Sequence, residues 1–151
     1  GSISTTGDPE GDVTPVNDSE PTQKEVISTL NTFFGQITQT PPIFSAIKID
    51  GQRAYKLARA GKMPIMEPRK VEIYDIILLS YDYPEVKIET KVSSGTYIRS
   101  LAVDIGENLG VGAYLTDLRR TQIADFDINN AINPIDITAQ KVLDKMHNNV
   151  V

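Results

Sequence analysis

The strongest constraint on how this chain can fold is the pair of apolar patterns on either side of Pro84. Across Glu85–Val92 the alternation is clean: Val86, Ile88, Thr90 and Val92 fall on one side, Glu85, Lys87, Glu89 and Lys91 on the other. Successive side chains of an extended strand point to opposite faces, so this pattern predicts a strand with one buried and one wetted face. Just before it, Val71–Leu79 becomes apolar on both faces toward its end, which predicts a strand central in a sheet. Asp82-Tyr83-Pro84 separates the two runs, and a hairpin is the shortest way to join them. The rest of the core then has to be built on an antiparallel sheet.

Helical periods supply its cover. Thr22 and Glu25 have capping-box spacing, in which the hydroxyl accepts from the N3 amide and the carboxylate reaches back. Val26, Ile27, Leu30, Phe33 and Phe34 then recur as an inward stripe, and Gly35 stops the run. A second helix is predicted from about Tyr97 to Leu109, burying Ile98, Leu101, Ala102, Ile105 and Leu109, with Gly110 as its cap. Gln52–Ala60 reads as a short helix between an Asp50-Gly51 turn and Gly61. Only Tyr55, Leu57 and Ala58 would anchor it, which predicts a projecting, mobile element. Gly112–Gln122 and Ile123–Ile128 read as further strands, ended by Asn133-Pro134; Thr138 would cap a last helix carrying Val142, Leu143 and Met146. Residues 1–21 are polar, rich in Gly, Pro, Asp, Ser and Thr, and read as an irregular loop in which Gly1-Ser2 could be a cloning remnant. The fold class expected is α+β, a mixed, largely antiparallel sheet with flanking helices.

Composition narrows the function. A length of 151 residues with 40% hydrophobic content suits one core of ordinary size. No apolar run approaches the roughly 20 residues that cross a bilayer, so no membrane partner is expected. With no cysteine, thiolate metal sites and disulfides are excluded, which fits a cytoplasmic protein. The single histidine, His147, reads as a solvated side chain, and no spaced carboxylate cluster suggests a metal. Net charge is −5, which argues against nucleic acid until its distribution is read. Residues 1–47 balance to −5 and residues 71–151 to −5, whereas residues 48–70 carry +5 from Lys48, Arg53, Lys56, Arg59, Lys62, Arg69 and Lys70. A focused basic segment on an acidic body suits a local contact with a polyanion. Arg53, Lys56 and Arg59, three apart, would share one helix face, although a merely solvated face is an equal reading at this stage.

Arg99 is harder to explain by packing. It occupies the opening turn of its helix, where the macrodipole disfavours a cation, so it needs an anionic partner. An ion pair with a neighbouring acid of the same fold is the plainer reading; orientation of a catalytic carboxylate or a phosphate is the sharper one. Leu118-Arg119-Arg120 poses the same choice between solvation and phosphate contact.

The run Ser93-Ser94-Gly95-Thr96-Tyr97-Ile98-Arg99-Ser100-Leu101, continued by Asp104-Ile105-Gly106 and Leu109-Gly110, resembles the signature of TruB-type pseudouridine synthases. Gly112-Ala113-Tyr114-Leu115 and Leu118-Arg119-Arg120-Thr121 resemble the segment that follows it. Upstream, Gly35-Gln36-Ile37 with Gln39, Pro41-Pro42 and Phe44-Ser45-Ala46-Ile47-Lys48 resemble the family's central block. So do Gly51, Ala54-Tyr55, Ala58-Arg59 and Gly61, then Arg69, Val71, Ile73 and Tyr74, while Thr5-Thr6-Gly7-Asp8-Pro9-Glu10-Gly11 resembles the loop ahead of it. The resemblance implies an isomerase that turns a uridine of the tRNA T-loop, conventionally position 55, into pseudouridine without metal or organic cofactor. The target uridine has to be flipped out of its loop.

The same resemblance implies catalytic roles for Arg99, which would ion-pair with an essential aspartate, and for Tyr97 and Leu118, which would line the pocket. Residues 42–70 would be the family's T-loop clamp, so that Lys48, Arg53, Tyr55, Lys56, Arg59, Lys62 and Arg69 bind RNA together with Arg119 and Arg120. The family's Gly-Thr-Leu-Asp-Pro-like aspartate motif and its Lys-x-Tyr motif do not occur in these 151 residues, and its PUA domain is expected to be absent from them too. Asp8 stands in a different loop and is not that nucleophile. Residues 1–151 are therefore expected to be the C-terminal part of a catalytic domain, with 71–128 carrying the sheet and the Tyr97/Arg99 motif. As given, the chain would be inactive and prone to self-association through an exposed sheet edge. The alternatives are a guide-RNA-dependent, dyskerin-like synthase, a non-catalytic RNA-binding module, and an acidic structural or scaffold protein.

Overall fold

The computed structural model describes residues 1–49, 51–140 and 143, which divide into two units, Gly1–Thr116 and Asp117–Val151. The first unit holds β1 (Ser2–Ser4), β2 (Val13–Pro15), α1 (Gln23–Thr32), β3 (Gly35–Gln39), β4 (Lys48–Ile49), β5 (Gln52–Arg53), α2 (Ala54–Arg59), β6 (Arg69–Asp82), β7 (Glu85–Val92) and α3 (Ile98–Asn108). The second holds β8 (Gln122–Ile123), β9 (Phe126–Asp127) and 3₁₀ turns at Ile128–Asn130 and Pro134–Asp136. Every strand pair among the described residues is antiparallel, as the fold class expected requires.

The central sheet has the order β3-β6-β7, so the run that is apolar on both faces is indeed the middle strand. Its register against β7 shifts between Ile73 and Asp75 and again between Leu78 and Ser80. The first shift changes parity: after Val71 and Ile73 the inward residues become Ile76 and Leu78, and Asp75 stays outside. A strict period of two would have buried the aspartate. The core joins Ile73 and Ile76 to Val26, Leu30 and Phe33 of α1 and its end, and to Leu101 and Ile105 of α3.

The capping box forms: Thr22 Oγ1 accepts from the Glu25 amide at 3.3 Å, and the Glu25 carboxylate accepts from the Thr22 amide at 2.7 Å. Of the stripe expected on α1, Ile27 and Phe34 are exposed instead. The helix closes at Thr32, Phe33 caps it, and Gly35, at φ +89°, opens β3 directly. α3 runs close to its expected bounds, with Tyr97 and Leu109 as caps and Gly110 at φ +74° beyond.

Other expectations are corrected. Residues 1–21 are not wholly irregular: β1 and β2 pair with Ser2 opposite Pro15, in strands too short to write a period. Gln52 and Arg53 form a strand rather than helix, leaving α2 only six residues long. Its anchor is firmer than expected, because Ala54 is fully buried and the amides of Ala54 and Tyr55 donate to Ile47 and Ser45 carbonyls at 2.7 and 3.1 Å. No strand forms over 112–121; within 123–128 only Phe126 and Asp127, with Ile123, belong to a ladder. Val142, Met146 and His147 lie outside the described residues.

Candidate functional site

The loop between β1 and β2 supplies the anion that Arg99 needs. Asp8 Oδ2 stands 2.9 Å from Arg99 Nη2, and Arg99 Nη1 donates to the Thr6 carbonyl at 3.3 Å. The plainer of the two readings of Arg99 therefore holds within this chain: its partner is a neighbouring acid, the aspartate that the sequence reading had set aside. Asp8 is itself fixed, accepting from Thr6 Oγ1 at 2.6 Å and from the Glu10 amide at 3.1 Å. These contacts hold its carboxyl below the ordinary 3.8: the Thr6 bond acts most, burial opposes it, and Glu10 and Arg99 add to the lowering. Gly7 makes the approach possible, since a Cβ there would stand 3.0 Å from Arg99 Cγ, and its φ is +75°. The pair is not sealed off, with side chains 30% and 15% exposed for Arg99 and Asp8.

Tyr97, two residues before Arg99, is held from the sheet. Gln39, at the end of β3, accepts from the Tyr97 amide at 2.8 Å and donates to its carbonyl at 3.1 Å. Ser100 Oγ donates to the Thr40 carbonyl at 3.0 Å, so the opening turn of α3 is fastened to the same strand end. Arg69 carries its guanidinium carbon to 5.0 Å from the centre of the Tyr97 ring and donates through Nη2 to the Gly95 carbonyl. Arg69, expected among the RNA-binding cations, instead lies against Tyr97.

Five further cations, Lys48, Arg53, Lys56, Arg59 and Lys62, lie on the β4–β5 hairpin, on α2 and just beyond it. Lys48, Gly51, Gln52, Arg53 and Lys56 line an open depression of about 550 Å³. Lys48 and Arg53 face each other across the ladder, and like charges in that position repel. Arg59 sits over the Tyr55 ring at 5.8 Å, and Lys62 is exposed just beyond. Arg53 is the N-cap of α2, not a member of its face. In the second unit Leu118 is 56% exposed, and Arg119 and Arg120 are exposed as well. Among the described residues no group of three His, Asp or Glu side chains could hold a metal, and no helix is long and apolar enough to cross a membrane.

Comparison with known proteins follows the same residues. Residues 1–98 match the model of the TruB family pseudouridylate synthase N-terminal domain, and residues 99–149 that of the tRNA pseudouridylate synthase B C-terminal domain. The chain belongs to the TruB family. The boundary between the two TruB models falls inside α3 and between Tyr97 and Arg99, which the fold keeps in one turn. tRNA pseudouridine synthase B of Clostridium tetani is 45% identical over 143 residues, covering 94% of this chain and 50% of that protein. The Thermosipho melanesiensis enzyme is 40% identical over 146 residues, 97% of this chain and 48% of that one. The chain thus spans about half the length of these TruB relatives. A chain in the crystal structure of a Cbf5-Nop10-Gar1 complex superposes with a TM-score of 0.63 at 31% identity, covering 78% of this chain and 31% of that chain.

Two site features escaped the sequence reading. Gln39 was noticed only as part of a family block, although its place two residues after the half-buried Ile37 in a short alternating run would have turned it inward. Asp8, excluded from the sequence only as the nucleophile, is the partner of Arg99, and nothing in a separation of 91 positions announces that contact.

Proposed function

We propose that this chain is the C-terminal part of the catalytic domain of a tRNA pseudouridine synthase that isomerises a T-loop uridine. The observation that carries the reading is Arg99, fixed by Asp8 and Thr6 yet still partly exposed beside a clamped Tyr97. A guanidinium has five N–H donors, so two contacts leave it able to hold a second carboxylate. In this reading that carboxylate is the essential aspartate of the family motif, and Arg99 both orients it and keeps it ionised. Tyr97 lines the nucleotide pocket. The isomerisation breaks N1–C1′, turns the uracil and forms C5–C1′; C5 loses a proton to solvent and N1 gains one. The balance needs no oxidant, metal or organic cofactor.

Substrate binding falls to the basic segment 42–70. Lys48, Arg53, Lys56, Arg59 and Lys62, with Tyr55 as an aromatic face, meet the phosphates of the T-arm, and Arg119 and Arg120 add to them. A phosphate in the 550 Å³ depression relieves the Lys48–Arg53 repulsion, which gives the hairpin a reason to tolerate it. The protein acts in the cytoplasm. Its sheet ends in two strand edges, β3 and β7, and the chain by itself self-associates through them, so sedimentation coefficients rise with concentration.

Tritium release from tRNA carrying [5-³H]uridine tests the assignment, because only replacement of the C5 proton frees the label. The 151-residue chain alone releases none, and the same residues joined to a TruB segment bearing the aspartate motif release it at the T-loop position. Release by the chain alone would refute the inactivity, and label lost from another stem or loop would refute the substrate. The likeness to a chain of the Cbf5-Nop10-Gar1 complex does not select the guide-RNA-dependent alternative, since identity is higher to the tRNA pseudouridine synthase B relatives and extends over nearly the whole chain.

A further inference from the structure

We infer that Gln39 and Arg69, opposite each other at the end of the β3–β6 ladder, are positioning residues that together set Tyr97. The inference rests on the reading of Tyr97 as a wall of the nucleotide pocket. The two side chains come from directly paired positions, Gln39↔Arg69, and converge on one residue of α3. Gln39 is 1% exposed, and a buried amide is costly unless its donor and acceptor are both used. Both go to Tyr97: Oε1 takes its amide at 2.8 Å and Nε2 gives to its carbonyl at 3.1 Å. Tyr97 is the N-cap of α3 and no side chain caps it from within the helix; Gln39 takes the N-cap amide from the sheet, as the N3 side chain of a capping box does from within a helix.

Arg69 holds the other half of the residue. Its guanidinium carbon lies 5.0 Å from the ring centre, and Nη2 bonds the Gly95 carbonyl. A Cβ on Gly95 would meet Nη2, Cζ and Nη1 at 3.4 to 3.6 Å, so the planar group lies flat along that backbone. Its Nε is buried with no hydrogen-bond partner among the described residues. Fold stability alone does not favour a cation held with one donor orphaned; a ring that must keep one orientation gives it a purpose. Backbone and ring of Tyr97 are thus fixed from two adjacent strands, and Arg99, two residues on, inherits the same frame.

The test uses Gln39→Met, which keeps length without the amide, and Arg69→Lys, which keeps charge without the plane. In the full chain, amide exchange at Tyr97 accelerates about tenfold in Gln39→Met while β6 amides keep their protection. In Arg69→Lys, chosen also because it is the milder change to the fold, the fluorine resonance of 3-fluorotyrosine at position 97, assigned by its loss in Tyr97→Phe, shifts. In the catalytically complete enzyme both variants lower kcat by about ten- to a hundredfold at unchanged KM for tRNA, as misplaced pocket groups do. A raised KM with unchanged kcat for Arg69→Lys would make Arg69 a phosphate contact and overturn the inference. So would an unmoved fluorine resonance or unchanged Tyr97 exchange. If the complete enzyme makes no pseudouridine, the function fails, while exchange and fluorine data still decide the clamp.

Discussion

A cation in the first turn of a helix is a conflict that has to be resolved by something nearby, and in this chain Asp8 resolves it. Because its folded-state pKa is lowered, the stability it contributes is present above its ordinary value of 3.8 and is lost as pH falls through the lower folded value. Asp8→Asn should therefore cost roughly 1 kcal/mol or less at pH 7, as expected of a partly exposed pair, with the difference from the parent shrinking below about pH 4. Urea midpoints measured for both proteins from pH 7 to pH 3 check this; a difference constant across that range would assign the loss to something other than ionisation. Arg99 was visible in the sequence as an anomaly, because helix polarity is a local property. Its partner was not, since the contact is made by a loop folding back onto the helix, and only tertiary structure decides that.

At the level of elements, legibility followed the length of the period. β7 was read with its observed ends, because eight alternating residues leave no other register. The capping box of α1 was equally plain. β1 and β2, at three residues each, carry no period, and the segment 112–121, which holds several apolar residues, forms no ladder. Residues 111–115 are instead fastened by backbone: the Val111 and Gly112 amides both donate to the Gly106 carbonyl, and the Leu115 amide donates to the Gly7 carbonyl at 2.9 Å. Gly106 is where α3 and this segment touch, for a Cβ there would fall 2.2 Å from the Ala113 nitrogen. Gly106→Ala, which raises intrinsic helix propensity, should nonetheless destabilise by about 1–3 kcal/mol, because backbone has to move. Leu101→Ala, at a site with 0% exposure, should cost about 2–5 kcal/mol. Chemical denaturation of the two variants checks both, and a stabilised Gly106→Ala would mean that the close approach does not exist in solution.

On the scale of the molecule the decisive quantity is where charge lies. The chain carries −5 in total, with its positive charge concentrated between residues 48 and 70. An acidic body with one focused basic segment should bind RNA weakly, locally and with a strong salt dependence. The structure divides that segment. Lys48, Arg53 and Lys56 border the depression, whereas Arg69 is committed to Tyr97 and Gly95. Cations that meet phosphate release counterions, and each contributes about 0.7–0.9 to the slope of log K against log salt. Replacing Arg53 and Lys56 by alanine should therefore reduce the slope for a T-arm hairpin by about two phosphate equivalents and weaken binding whatever the loop sequence. Arg69→Lys should leave the slope unchanged. Fluorescence anisotropy over a salt series measures both. An unaltered slope in the double variant would make the basic segment an ordinary solvated face, the reading that composition alone could not separate from RNA contact.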